Sequence, residues 1–114
     1  MPQFALILYD DPTQWPKLSP EEMQKAIEKY RAWTQMPFTK GSQRLGEDRG
    51  KVVRTVNGKA RATDGPYSET KEVLGGFYLI EAADYDEAVK LALDHPHAQY
   101  GTIEVRRLWE PPRA

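Results

Sequence analysis

The sequence predicts an α+β domain, and three observations carry the prediction. Two helix starts bear capping signals, short β-type runs stand before and after them, and an Asn-Gly turn joins two further runs. Phe4 to Tyr9 is a stretch of apolar and aromatic residues closed by Asp10-Asp11-Pro12, the length and ending of a strand. Ser19 then stands as an N-cap, Pro20 takes the first helical position, and Glu22 completes a Ser-x-x-Glu capping box. Met23, Ala26, Ile27, Tyr30 and Trp33 recur at helical spacing until Pro37 stops them. Residues 38–50 are polar and glycine-bearing, with a faint strand signal at Gln43 to Leu45.

Asn57-Gly58 joins Lys51–Val56 to Lys59–Thr63 with the composition that a type I′ hairpin requires. An aperiodic stretch, 64–76, leads into a strand at Phe77 to Ala82. Asp84 caps a second helix, with Glu87 at the capping-box position and Tyr85, Ala88, Val89 and Ala92 on one face. Pro96 ends it. Thr102 to Trp109 makes the last strand, and Pro111-Pro112 prevents further pairing. This order reads as two βαβ-like halves sharing one antiparallel sheet: a ferredoxin-like βαββαβ arrangement with two helices on one face and an extra hairpin.

A chain of 114 residues fits one domain, 1–114, whose 39% hydrophobic content supplies a modest core. Charged residues make up 29% with a net charge of -1, which gives no electrostatic reason to expect nucleic acid or an anionic membrane surface as a partner. The absence of cysteine excludes disulfides, thiolate nucleophiles and thiolate metal sites, and is compatible with the cytoplasm. The opening apolar run lacks a basic flank and is too short for a signal peptide or a membrane span, so a cytoplasmic protein is expected.

Two helices cover one face of such a sheet. Phe77-Tyr78-Leu79-Ile80 and Phe4-Ala5-Leu6-Ile7-Leu8 nevertheless do not alternate apolar with polar, so both faces of these strands read as buried. At about 25 cal/mol per Å², leaving several such side chains in water forfeits several kcal/mol. A symmetric second copy is the simplest cover; the alternative is that 38–50 and 64–76 fold over that face.

Candidate chemistry gathers in loop 64–76, where Asp64, Tyr67, Ser68, Glu69, Thr70, Lys71 and Glu72 stand beside three glycines. Asp or Glu there can act as a base, Lys71 as an anion contact and Tyr67 as a donor. The plain alternative is turn chemistry at Asp64-Gly65-Pro66 and tight strand entry at Gly75-Gly76. His95 and His97 are the only imidazoles. A cationic role at the C-terminus of the second helix suits His95, and His97 is the proton carrier if its side chain turns inward. Two histidines without cysteine make a thin ligand set, so no metal or other cofactor is expected. Trp15 and Trp109 can stack on a ligand, whereas helical spacing makes Trp33 a core residue first. Ser68-Glu69-Thr70-Lys71 fits S-x-x-K but lacks the companion elements of β-lactamases. Arg106-Arg107 reads first as a solvated strand face.

Asp64-Gly65-Pro66-Tyr67-Ser68-Glu69-Thr70-Lys71-Glu72 with Leu74-Gly75-Gly76-Phe77-Tyr78 resembles the signature of the DGPF branch of YCII-related proteins. Gly101 to Arg106, Leu6 to Tyr9, Trp15 and Ser19-Pro20-Glu21-Glu22 extend that resemblance over nearly the whole chain. Tyr67 replaces the usual Phe, Arg107 stands where Pro is common, and residues 37–47 look shortened, which puts the second strand in doubt. The resemblance implies a dimeric α+β barrel. A related branch includes a dehydrochlorinase-type lyase thought to use a His–Asp pair, with its His early in the first helix. Ser19 to Trp33 holds no histidine here, so that pair does not carry over.

The resulting expectation is a homodimer that binds an unknown small molecule beside loop 64–76, with catalysis left open. Asp64 and His97 are the catalytic candidates, and Tyr67, Glu69, Lys71 and Arg106 the substrate contacts. The competing reading is a non-catalytic regulatory or protein-interaction domain of the kind found beside sigma factors. A concave cavity holding Asp64 or His97 favours the first, and a flat surface with those side chains in water the second.

Overall fold

A computed structural model describes residues 1–66 and 72–112. Strand β1 (Gln3–Asp10) leads through a short 3-10 turn to helix α1 (Pro20–Thr34). Next come β2 (Thr39–Arg44), β3 (Lys51–Val56) and β4 (Lys59–Asp64). Strand β5 (Val73–Glu81), helix α2 (Tyr85–Leu93), a 3-10 turn at Pro96–Gln99 and β6 (Gly101–Arg107) complete the order.

Both helices start as their sequences direct. The Ser19 hydroxyl accepts the Glu22 N–H at 3.1 Å while the Glu22 carboxylate accepts the Ser19 N–H at 3.2 Å, a reciprocal capping box. At α2 the Asp84 carboxylate accepts the Glu87 N–H, but the Glu87 side chain takes the N–H of Ala83 rather than that of the cap.

The main sheet has the order β2-β5-β1-β6 with every neighbouring pair antiparallel, which is compatible with a ferredoxin-like fold. Alternation along β1 and β5 turns Phe4, Leu6, Leu8, Tyr78 and Ile80 to the helices. There they form one buried cluster with Trp33, Ala88 and Ala92, so both helices lie on the same face. Ala5, Ile7, Phe77 and Leu79 point the other way and are only partly buried. These central strands are apolar on both sides, as the sequence indicates, but the single chain encloses only one side.

Two expectations change. The second sheet strand is Thr39–Arg44, in the stretch that looks shortened. Its polar side chains hide it from a hydrophobicity reading because it is an edge strand, held by main-chain pairing to β5. The Asn57-Gly58 hairpin forms as expected, with φ of 52° and 78° at its two turn residues. Among the described residues it joins no other strand, however, and makes a separate two-stranded ribbon. The radius of gyration is 16.3 Å, against about 13 Å for a compact chain of this length. Such an excess fits a ribbon that projects from the body.

Candidate functional site

The C-terminal ends of β1 and β2, the inward face of α1, the start of β5 and the turn after α2 converge on one cavity of about 310 Å³. Leu8, Ile27 and Tyr78 give it an apolar floor, and Tyr30, Asp10 and His97 place polar atoms in it. Ile27 and Tyr30 belong to the same helical stripe as buried Ala26 and Trp33, yet are less buried because they border this space.

His97 is 2% exposed and sits in the 3-10 turn after α2. Its Nε2 lies 2.9 Å from the main-chain carbonyl of Tyr9, and its Nδ1 lies 2.7 Å from the Tyr30 hydroxyl. A carbonyl only accepts, so Nε2 carries the hydrogen. In the neutral ring Nδ1 is then the acceptor, and Tyr30 donates to it. Burial holds the Tyr30 hydroxyl well above the usual phenol range, reinforced by the negative charge of Asp10, so at neutral pH it has a proton to donate.

Asp10 stands on the other side of the ring, with Oδ1 3.3 Å from His97 Nε2. That oxygen is buried and makes no hydrogen bond among the described residues. A carboxylate, an imidazole and a phenol thus follow one another along the cavity wall. Two glycines make the approach feasible. A Cβ at Gly101 would collide with the Tyr9 carbonyl and come within 2.7 Å of His97 Nε2, and one at Gly75 would strike the Asp10 carboxylate. Trp15 stacks on Tyr100 with ring centres 5.3 Å apart and closes one side. Two cations, Arg31 and Arg44, also border the cavity. Arg44 reaches over Trp15 at 5.9 Å and pairs with Glu47 at 3.3 Å, whereas Arg31 meets no carboxylate among the described residues.

The sequence candidates separate. His97 does turn inward. Asp64 ends β4 with its side chain 77% exposed and ion-paired to Lys51, and it is not part of the cavity wall. Arg106 lies on the helix-free side opposite Ala5, is largely in water, and pairs with Glu104 at 3.4 Å. Tyr67, Glu69 and Lys71 lie outside the described residues. His97 therefore borders a cavity, and Asp64 lies on the surface.

The cationic role expected of His95 is overturned. That ring is 2% exposed, and burial, with a lesser push from the charge of His97, drives its pKa down to about 4. It is neutral, and its Nδ1 accepts the His97 N–H at 3.0 Å, capping the next turn rather than α2. Its edge packs against Trp33 and Tyr78 at 4.5 Å each. No group of three or more metal-ligating side chains gathers among the described residues.

Asp10 and Tyr30 escape a reading of the sequence alone. Asp10 looks like a strand breaker beside Pro12, and Tyr30 like one more member of an apolar stripe. The available signal is that Tyr30 puts a polar tip on the face of α1 that must be buried.

Comparison with known proteins brings these observations to a family. The YCII-related domain matches residues 2–111. The chain belongs to the YCII-related family. This YCII-related chain is also similar to an uncharacterized protein of Rhizobium meliloti (strain 1021), at 34% identity over 118 residues, covering 92% of this chain and 90% of that protein. No helix among the described residues is long and apolar enough to cross a membrane.

Proposed function

We propose that this YCII-related chain, a member of the DGPF branch, is a homodimer that binds a small anionic molecule in the cavity and moves a proton on it. The observation that carries the reading is the run Asp10, His97, Tyr30 on the cavity wall, with His97 buried at its centre. A proton taken from the ligand by the Tyr30 oxygen lets the Tyr30 proton pass to His97 Nδ1. The imidazolium so formed faces the Asp10 carboxylate, the arrangement by which a carboxylate steadies a charged histidine in hydroxyl-activating sites. Run backwards, the same relay delivers a proton. The His–Asp pair thus comes from β1 and the turn after α2, with no contribution from the first helix. Arg31 supplies the charge that favours an anion, and the cavity volume suits a small molecule, near the lower end of the range of about 300–1,000 Å³ for ligand sites.

The half-covered face bearing Ala5, Ile7, Phe77 and Leu79 supports the dimer, since a second copy buries it by symmetry. The cysteine-free composition supports a cytoplasmic setting. Thermal-shift screening of small carboxylic acids and other anions tests the site. Stabilising compounds should lose their effect in Tyr30→Phe, His97→Gln and Arg31→Ala proteins. Hits indifferent to all three substitutions would place binding elsewhere.

A further inference from the structure

The cavity has two margins of opposite charge. At the β1 side the Asp10 carboxylate faces the His97 imidazole. Across the floor, the register pairs both Leu8 of β1 and Arg44 of β2 with Gly76 of β5. Leu8 and Arg44 are thus two strand spacings apart, about 10 Å, and Gly76 puts no side chain between them. Ser42 and Arg44 line the β2 margin, and Arg31 of α1 also borders the space. Among the described residues, the wall sets one carboxylate, Asp10, against two guanidiniums, a balance of +1.

Arg44 is placed to use that balance. Its guanidinium lies 5.9 Å over the Trp15 ring, a contact that restricts where the charge can sit. The charge also reaches the relay: burial and then Asp10 push the Tyr30 pKa up, and Arg44 acts in the opposite direction. Glu47, the carboxylate that meets Arg44 at 3.3 Å, is three residues along the chain, with a side chain 85% exposed. An ion pair so far in water contributes little and is readily exchanged. A ligand carboxylate in a half-enclosed, largely apolar space meets the same guanidinium with less screening.

We propose that Arg44 is the anion anchor of the cavity, and that it gives up Glu47 to take the carboxylate of a small monocarboxylic acid. The inference rests on the function proposed above and adds the ligand's chemical class and its direction. The carboxylate lies at the β2 margin, the apolar body rests on Leu8, Ile27 and Tyr78, and the proton-exchanging group reaches Tyr30. A planar guanidinium matches the two oxygens of a carboxylate, and a single negative charge matches the +1 of the wall. Carboxylate and exchangeable hydrogen therefore belong at opposite ends of the molecule, not on adjacent atoms.

Calorimetric titration of the full chain with 4-hydroxybenzoate, and with 4-hydroxybenzyl alcohol as its uncharged counterpart, tests this. The acid should bind about tenfold or more tightly than the alcohol. Arg44→Gln should weaken the acid by about tenfold. Glu47→Gln should tighten it by about two- to fivefold, because the anchor loses its competitor. Lys40→Gln removes the same charge from β2 outside the cavity wall, and should change affinity by less than about twofold. A gain in affinity cannot come from a damaged fold, so Glu47→Gln decides even where Arg44→Gln loosens the edge strand. Acid binding that is lost in Tyr30→Phe but unchanged in Arg44→Gln and Glu47→Gln overturns the anchor and leaves the relay site standing. An alcohol bound as tightly as the acid overturns the anchor as well. A wild-type chain that takes up no acid at about 10 mM overturns the anchor together with the anionic part of the function proposed above.

Discussion

The covered end of the main sheet and the β3–β4 ribbon are both built from short antiparallel strands, yet they hold their shape by different means. Around Phe4, Leu6 and Ile80 the side chains are fully buried and α1 and α2 complete the enclosure. In the ribbon, main-chain pairing and a two-residue turn do nearly everything, and the side chains face water. Order at the site is therefore set by packing, whereas order in the ribbon is set by local backbone chemistry. A substitution should be felt in the isolated chain according to which of the two it strikes.

The sharpest way to break this contrast is Phe4→Ala. Phe4 is 0% exposed and meets Tyr85 edge-on at 4.9 Å, so its loss should destabilise the chain by about 3–5 kcal/mol in denaturant unfolding. A cost below about 1 kcal/mol would mean that the covered end is no better packed than the ribbon.

Next in size is the pH dependence of stability. His95 is held neutral in the fold, with its pKa pushed down to about 4 by burial first and the His97 charge second, against about 6.5 in the unfolded chain. Between those values the unfolded chain binds the extra proton, so stability is fully present above about pH 6.5 and is lost as pH falls toward 4. The loss should be on the order of 3 kcal/mol, and His95→Phe should flatten this part of the stability–pH curve. A wild-type curve that is already flat there would remove His95 from the packed core.

Tyr30→Phe should cost about 1–2 kcal/mol, because it leaves buried His97 Nδ1 without its donor. It should also remove ligand response while leaving the secondary structure unchanged. The smallest effects belong to the ribbon. Asn57→Ala, at φ of 52°, should cost about 1 kcal/mol, and Val53→Thr less than about 0.5 kcal/mol in the unpaired chain. A large stability loss from Val53→Thr at high dilution would show the ribbon packed within its own chain.

The same contrast governs what the sequence discloses. Capping residues, the Asn57-Gly58 turn and the apolar strands act through neighbours a few positions away, so α1, α2, β1, β5 and the hairpin are legible from local pattern. Strand β2 is obscure because Thr39–Arg44 earns its place through bonds to β5 rather than through greasy side chains. The site is harder still. His97 is a candidate on residue type, but its partners lie 67 and about 87 positions away, and only the fold brings Tyr30 and Asp10 to it. Asp64 draws attention as an acid in a glycine-bearing stretch, and the register instead gives it Lys51 as a cross-strand neighbour.

The Tyr9 carbonyl that holds His97 Nε2 belongs to the main chain. No replacement of the side chain at position 9 can delete that acceptor, so the hydrogen on Nε2, and with it the acceptor role of Nδ1 toward Tyr30, is anchored in the pleat of β1. Natural variation and deliberate redesign are left with the two ends of the proposed relay, residues 10 and 30, as the places where its direction and strength can be retuned.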